Sequence, residues 1–272
     1  MTLLLQISDP HFGTERPLVV EALVRLAHEN APELIVLSGD ITQRARRRQF
    51  AAARAFVERL GPAARLVIPG NHDIPLYNLF ARIVTPYANH RREFGNDLEP
   101  VFESERLLVV GVNTTRFYRH TDGELSAKQI ERVARRIEAA RESQLRIVVM
   151  HQPVAVTKEL DDVNLLHGRA PAVRRWAHAG ADLLLGGHIH LPYVLPLHEH
   201  YEDLPRAIWA VQAGTAVSSR IRHEANNSVN LIRYSGVRES SRRAVIERWD
   251  YQDLQESFKR VETSELSFGI EL

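Results

Sequence analysis

The chain has 272 residues, a formal net charge of +1, 13 histidines and no cysteine. The missing cysteines exclude disulfides, thiolate metal sites, iron–sulfur clusters and cysteine nucleophiles, and the near-neutral balance speaks against a broad basic nucleic-acid face. No apolar run approaches the ~20 residues that span a bilayer, and residues 1–8 carry neither a basic n-region nor a small-residue cleavage site, so a soluble cytoplasmic chain without membrane contact is expected.

The first third alternates strand and helix signals. Residues 3–7 form an apolar run that ends at Ser8 and Asp9. Residues 17–29 have helical spacing, with Leu18, Ala22 and Leu26 on one stripe. A second run, 34–37, ends at Ser38, Gly39 and Asp40, and residues 49–60 again read as a helix. A third run, 66–68, stops at Pro69, Gly70, Asn71, His72 and Asp73. Such alternation means βαβ units and a largely parallel sheet.

Residues 101–103 and 107–112 read as neighbouring strands, and 125–142 as an amphipathic helix with Ser126 as N-cap ahead of Gln129. The strand at 147–150 ends at His151. A helix at 171–179 is closed by Gly180, and the strand at 182–185 ends at Gly186, Gly187, His188, Ile189 and His190. Beyond these, 193–197, 207–211, 229–234 and 243–249 alternate like antiparallel strands that extend the second sheet or form a dimer edge. The reading is one domain over 1–250 and a polar tail over 251–272 without a clear element.

Asp9, His11, Asp40, Asn71, His151, His188 and His190 all sit just past the ends of apolar runs. Parallel strands deliver such loops to one rim of a sheet, where ligands bind. The set offers carboxylate, imidazole and amide donors, which suits manganese, iron or zinc and is too nitrogen-rich for a calcium or magnesium cage. Seven donors are too many for one tetrahedral ion. They suit two divalent or trivalent ions, with the two oxygens of Asp40 reaching metals roughly 3.5–4 Å apart.

Asp9-Pro10-His11, Gly39-Asp40, Gly70-Asn71-His72-Asp73, His151 and Gly187-His188-Ile189-His190, in that order, resemble the five blocks of the calcineurin-like metallophosphoesterase superfamily. The compact length is similar to its bacterial class III cyclic-nucleotide phosphodiesterase and glycerophosphodiesterase branch. The resemblance implies an α/β fold, a four-layer αββα sandwich of two mixed sheets packed face to face. It implies that Asp9, His11 and His190 hold one metal and Asn71, His151 and His188 the other, with Asp40 bridging. His72 is then the catalytic residue over the substrate phosphate. Some members carry an aspartate that orients this histidine; here Gln43 stands at that position, leaving Asp73 as a substitute orienting group.

The expected reaction is hydrolysis of a small phosphodiester, such as a 3′,5′-cyclic nucleotide or a glycerophosphodiester, by a metal-bridging hydroxide. A phosphomonoesterase or nuclease on the same core, or a non-catalytic binding module of this fold, are the alternatives. Asn71, His72, Arg44, Arg116 and His223 are the candidate substrate contacts. The run Arg44, Arg46, Arg47 and Arg48 is either a solvated helix face or a source of one arginine over the rim. Arg116, Arg119 and His120, and likewise Arg220, Arg222 and His223, either line the substrate side or are ordinary loop polarity. A small phosphoester substrate and a homodimer are the expected partners, and nucleic acid is not.

Overall fold

The computed structural model describes residues 1–238 and 241–268. In chain order the elements begin with β1 (Thr2–Ile7), α1 (Pro17–Asn30), β2 (Leu34–Ser38), α2 (Arg47–Arg59) and β3 (Ala64–Ile68). They continue with α3 (Leu79–Val84), α4 (Ala88–Phe94), β4 (Val101–Glu103), β5 (Leu107–Gly111), α5 (Ala127–Glu138), β6 (Leu145–Val149), α6 (Arg169–Ala179) and β7 (Leu183–Gly186). The last third is β8 (Tyr193–Pro196), β9 (Trp209–Gln212), β10 (Ser228–Arg238), β11 (Ser241–Gln252) and β12 (Ser257–Phe268).

Two six-stranded mixed sheets result, ordered β12-β11-β10-β1-β2-β3 and β4-β5-β6-β7-β9-β8. Their central strands are apolar on both faces because each sheet is covered twice. Leu3, Leu5 and Ile7 of β1 and Ile35 and Leu37 of β2 pack under α1 and α2. The alternate residues Leu4, Leu34 and Val36 meet Leu107, Val109, Ile147 and Leu185 of the other sheet. On the far side Leu108, Val110 and Val148 pack under α5 and α6. The order helix, sheet, sheet, helix is the expected αββα sandwich. α5 starts where expected, with Ser126 Oγ accepting from Gln129 N at 3.2 Å.

Three sequence expectations change. The segment after Tyr251 is not a tail without structure: β12 pairs antiparallel with β11 over its whole length. Its side chains are mostly exposed, because it is an edge strand, so its polar sequence carried no strand signal. β9 runs parallel to β7, not antiparallel, and only β8 reverses against it. Alternation reports which faces a strand shows, and it is silent on direction. The strands after Leu191 also divide, β8 and β9 joining the second sheet and β10 to β12 the first.

α4 carries a histidine without polar company. His90 is buried, its ring lies against Phe94 (centroids 5.6 Å) and Phe50 (6.0 Å), and neither ring nitrogen has a hydrogen-bond partner among the described residues. Burial, and then nearby Arg91, pushes its pKa down to about 4. The unfolded chain takes up this proton near pH 6.5, so the unfolded state binds more protons below that pH. The stability that neutral His90 provides is present above about pH 6.5 and is lost as pH falls toward 4. Urea unfolding of His90→Leu is expected to lose about 2 kcal/mol less than the parent between about pH 7 and 4.5; parallel stability curves would refute the assignment.

Candidate metal centre

β1, β2 and β3 run parallel in one sheet, as do β6 and β7 in the other. Their C-terminal ends therefore open onto one rim. The structure brings Asp9, His11, Asp40, Asn71, His151, His188 and His190 together there, from loops up to 181 residues apart in sequence. Donor atoms of Asp9, His11 and His190 lie within 4.8 Å of one another, as do those of Asp40, His151 and His188. Asp40 faces both halves, with Oδ2 3.7 Å from His11 Nε2 and Oδ1 3.3 Å from His151 Nε2.

The backbone is bent to achieve this. Asp9, His11, Asp40, His188 and His190 all have positive φ, between 44° and 76°. Non-glycine residues there cost on the order of 1–3 kcal/mol each and persist where surrounding structure enforces them. Gly39 has φ +99°, and a β-carbon on it would run into the His151 ring. Gly187 fails differently: a β-carbon there would strike Ser8 Oγ and Asp9 Oδ2.

Hydrogen bonds fix which nitrogen of the His151 and His190 rings faces inward. His151 Nδ1–H donates to Ser38 O at 2.9 Å, so its Nε2 is left for Asp40 Oδ1 and for Asn71 Oδ1 at 3.2 Å. His190 Nδ1–H donates to Arg220 O at 2.6 Å, which turns its Nε2 toward Asp9 Oδ1 at 3.3 Å and His11 Nε2 at 3.0 Å. Nitrogen and oxygen atoms this close are bridged by a proton on a ring nitrogen or by a bound metal ion. Asp9 Oδ1 is buried and has no hydrogen-bond partner among the described residues, whereas Asp9 Oδ2 accepts from Ser8 Oγ at 2.6 Å and His188 N at 2.9 Å.

The charges say the same. Burial opposes ionisation of Asp9, but the hydrogen bond and charge of His190 hold its carboxyl well below the usual range. Burial likewise opposes Asp40, and His151 and His72 pull it well below. Burial would lower His151, yet Asp40 pushes it up to about 9, and Asp9 raises His190 in the same way. Protons on those two rings balance the two carboxylates, and bound metal ions would take their place. Burial keeps His11 down at about 3 and, with the charge of His151, His188 at about 4, so both offer neutral lone pairs. The donor set fits transition-metal ions.

His72 adjoins the cluster, its ring centroid 4.8 Å from that of His11 and its backbone N–H donating to Asp40 Oδ1 at 2.8 Å. Its holder is not Asp73. That carboxylate is buried and accepts from Gly70 N, Ile41 N, Thr42 N and Thr42 Oγ1 at 2.8–3.0 Å, which ties the Asp40 loop to the Asn71 loop. His72 Nδ1–H instead donates to the backbone carbonyl of Gln43 at 3.0 Å. Its Nε2 accepts from Arg220 Nη1 at 3.2 Å, and the same nitrogen reaches Gln43 Oε1 at 3.1 Å.

The candidate substrate contacts separate. Arg44 lines a cavity of about 80 Å³ together with Gln43, Asn71, His72 and Arg82. Arg116 does not join it: its guanidinium donates to Asn113 O, Thr115 O and Gln129 Oε1, and it lines another cleft beside Glu99. His223 is exposed and has no side-chain hydrogen bond among the described residues, while Arg222 pairs with Asp161 at 2.9 Å. Arg220 is the member of that trio that reaches His72. Sequence reading also passed over Gln6 and Gln212, whose amides donate to Gly186 O and Gly187 O and pin the loop of His188 and His190. Their signal is a buried glutamine inside an apolar strand.

A family model described as calcineurin-like phosphoesterase matches residues 2–192, and the chain belongs to that family. It is 26% identical over 171 residues to a probable cyclic nucleotide phosphodiesterase of Synechococcus sp., a match covering 61% of each chain. Among solved structures it resembles a purple acid phosphatase from yellow lupin (Lupinus luteus) seeds, with a TM-score of 0.72, 11% identity and coverage of 98% of this chain and 53% of that one. Vacuolar protein sorting 29 from Cryptosporidium parvum superposes with a TM-score of 0.50 and 13% identity over 98% of both chains. At such identities the structural likeness is one of fold. The chain thus spans only part of the length of the Synechococcus and lupin proteins.

Proposed function

We propose that the chain is a two-metal phosphodiesterase for a small diester, a 3′,5′-cyclic nucleotide or a glycerophosphodiester. The observation that carries this is Asp40, whose two oxygens each face a different half of the donor cluster. Asp9, His11 and His190 would hold one ion, Asn71, His151 and His188 the other, and Asp40 both, with manganese or iron suiting the set. When bound, such ions supply Lewis-acid activation of water and of the phosphoryl oxygens. The relative named as a probable cyclic nucleotide phosphodiesterase supports the choice of a diester.

The chain's own contribution lies at His72. The Gln43 carbonyl holds its proton on Nδ1 and turns Nε2 toward the cleft, where Arg220 meets it. The N–H donors and the fixed positive charge facing a phosphate there belong to Arg220. His72 orients that guanidinium, which acts on the charge that develops as the ester bond breaks.

The test is turnover by manganese-loaded protein of a bis-aryl phosphodiester, an aryl monoester, cyclic AMP, a glycerophosphodiester and single-stranded DNA. The small diesters are expected to lead. A monoester that outruns every diester, or DNA that does, overturns the reading. So does a protein that binds fewer than one transition metal per chain.

A further inference from the structure

α3 is a helix with no buried residue. Tyr77, just before it, and Leu79, Phe80, Ile83 and Val84 within it are 57–76% exposed. Six residues cannot hold a helix in water by propensity alone, and an apolar cluster of this kind on a folded surface marks a contact site. It stands on the rim of the metal-donor cluster: Leu76 and Arg82 line the same cavity as His72.

The charges around it are of one sign. No acidic residue occurs between Asp40 and Glu58 or between Asp73 and Glu93, while the first stretch alone holds Arg44, Arg46, Arg47, Arg48 and Arg54. Arg44 lies 5.3 Å over the Tyr77 ring, and Asn89 of α4 donates to Ala45 O at 2.9 Å, so the arginine run and the apolar helix share one face. Arg44, Arg46, Arg47 and Arg48 are exposed and form no salt bridge among the described residues. The run is therefore more than a solvated helix face balanced by neighbouring acids.

We propose that this face docks on an anionic lipid surface, with α3 dipping into the interface and Arg44–Arg48 against the headgroups. Aliphatic side chains beside unpaired arginines are the composition of an interfacial helix. A nucleic-acid backbone would satisfy the arginines and leave Leu79, Ile83 and Val84 in water. A second copy of the chain would set arginine cluster against arginine cluster. No helix among the described residues is long and apolar enough to cross a membrane, so the contact is peripheral. This revises the expectation of no membrane contact and is independent of the proposed catalytic reaction.

The experiment is co-sedimentation of the purified full-length protein with vesicles of phosphatidylcholine, or of phosphatidylcholine mixed with phosphatidylglycerol. Binding is expected only to the mixed vesicles, weakening as salt rises. The triple variant Arg46→Glu, Arg47→Glu, Arg48→Glu is expected to lose about a hundredfold in partitioning. The double variant Phe80→Ser, Ile83→Ser should also detach. Both should keep their thermal transition, because every replaced side chain is exposed. Equal binding to both vesicle types, or variants that sediment like the parent, overturn the proposal. So do tighter retention on single-stranded DNA than on the vesicles and a dimer in light scattering that the same substitutions dissolve.

Discussion

Asp40→Ala is expected to leave no measurable phosphodiesterase activity, a loss greater than about 10³-fold, and to lower the metal content of the purified protein. Alanine removes both oxygens that face the two halves of the cluster, at 3.7 Å from His11 and 3.3 Å from His151. It also takes the counter-charge from His151, which Asp40 pushes up to about 9 against the effect of burial, and it strands the His72 backbone N–H that donates to Oδ1. Asp40→Asn separates these effects. The amide oxygen still accepts from His72, but the charge is gone, so metal should be lost while the loop stays in place. Metal analysis beside turnover decides the matter. Two ions per chain retained in Asp40→Ala would sink the bridging role even if activity had vanished.

What could be read from the sequence follows the physics that writes each feature. The runs at 3–7 and 34–37 are legible because both faces of β1 and β2 are buried, so every position must be apolar or internally bonded. α3 is illegible for a different reason. Its six residues offer only the i, i+4 pairs Leu79/Ile83 and Phe80/Val84, too short a window to tell a helix from a short apolar run. β12 shows mainly exposed side chains along an edge, and its alternation is polar against polar.

The donor cluster was legible residue by residue, since its chemistry resides in side chains that follow strand ends. The support around His72 was not. Its orienting group is a backbone carbonyl, which every residue possesses, so Gln43 carries no sign of that role. Arg116 and Arg220 look alike in sequence, each a few residues past a strand. Loop conformation alone sends one to Gln129 and the other to His72.

His72→Ala is expected to keep its metals and lose about 10²–10³ in kcat, the scale of one transition-state contact, because Arg220 is no longer held in place. The ring forms no hydrogen bond to any of the seven donors, since its backbone N–H, which alanine retains, is what meets Asp40. Its loss frees Arg220 from one of two side-chain partners, Gln43 Oε1 remaining. Arg220→Gln should therefore cost a similar factor, and the double variant should cost little more than either single change, because residues that act as a unit are not additive. Steady-state kinetics on a bis-aryl diester, with metal content measured on the same samples, gives every value needed. Full additivity would make His72 and Arg220 independent contributors. A metal lost from His72→Ala would move His72 into the donor set, a placement its position 4.8 Å from the His11 ring and within the His11–Asp40 group makes sterically feasible.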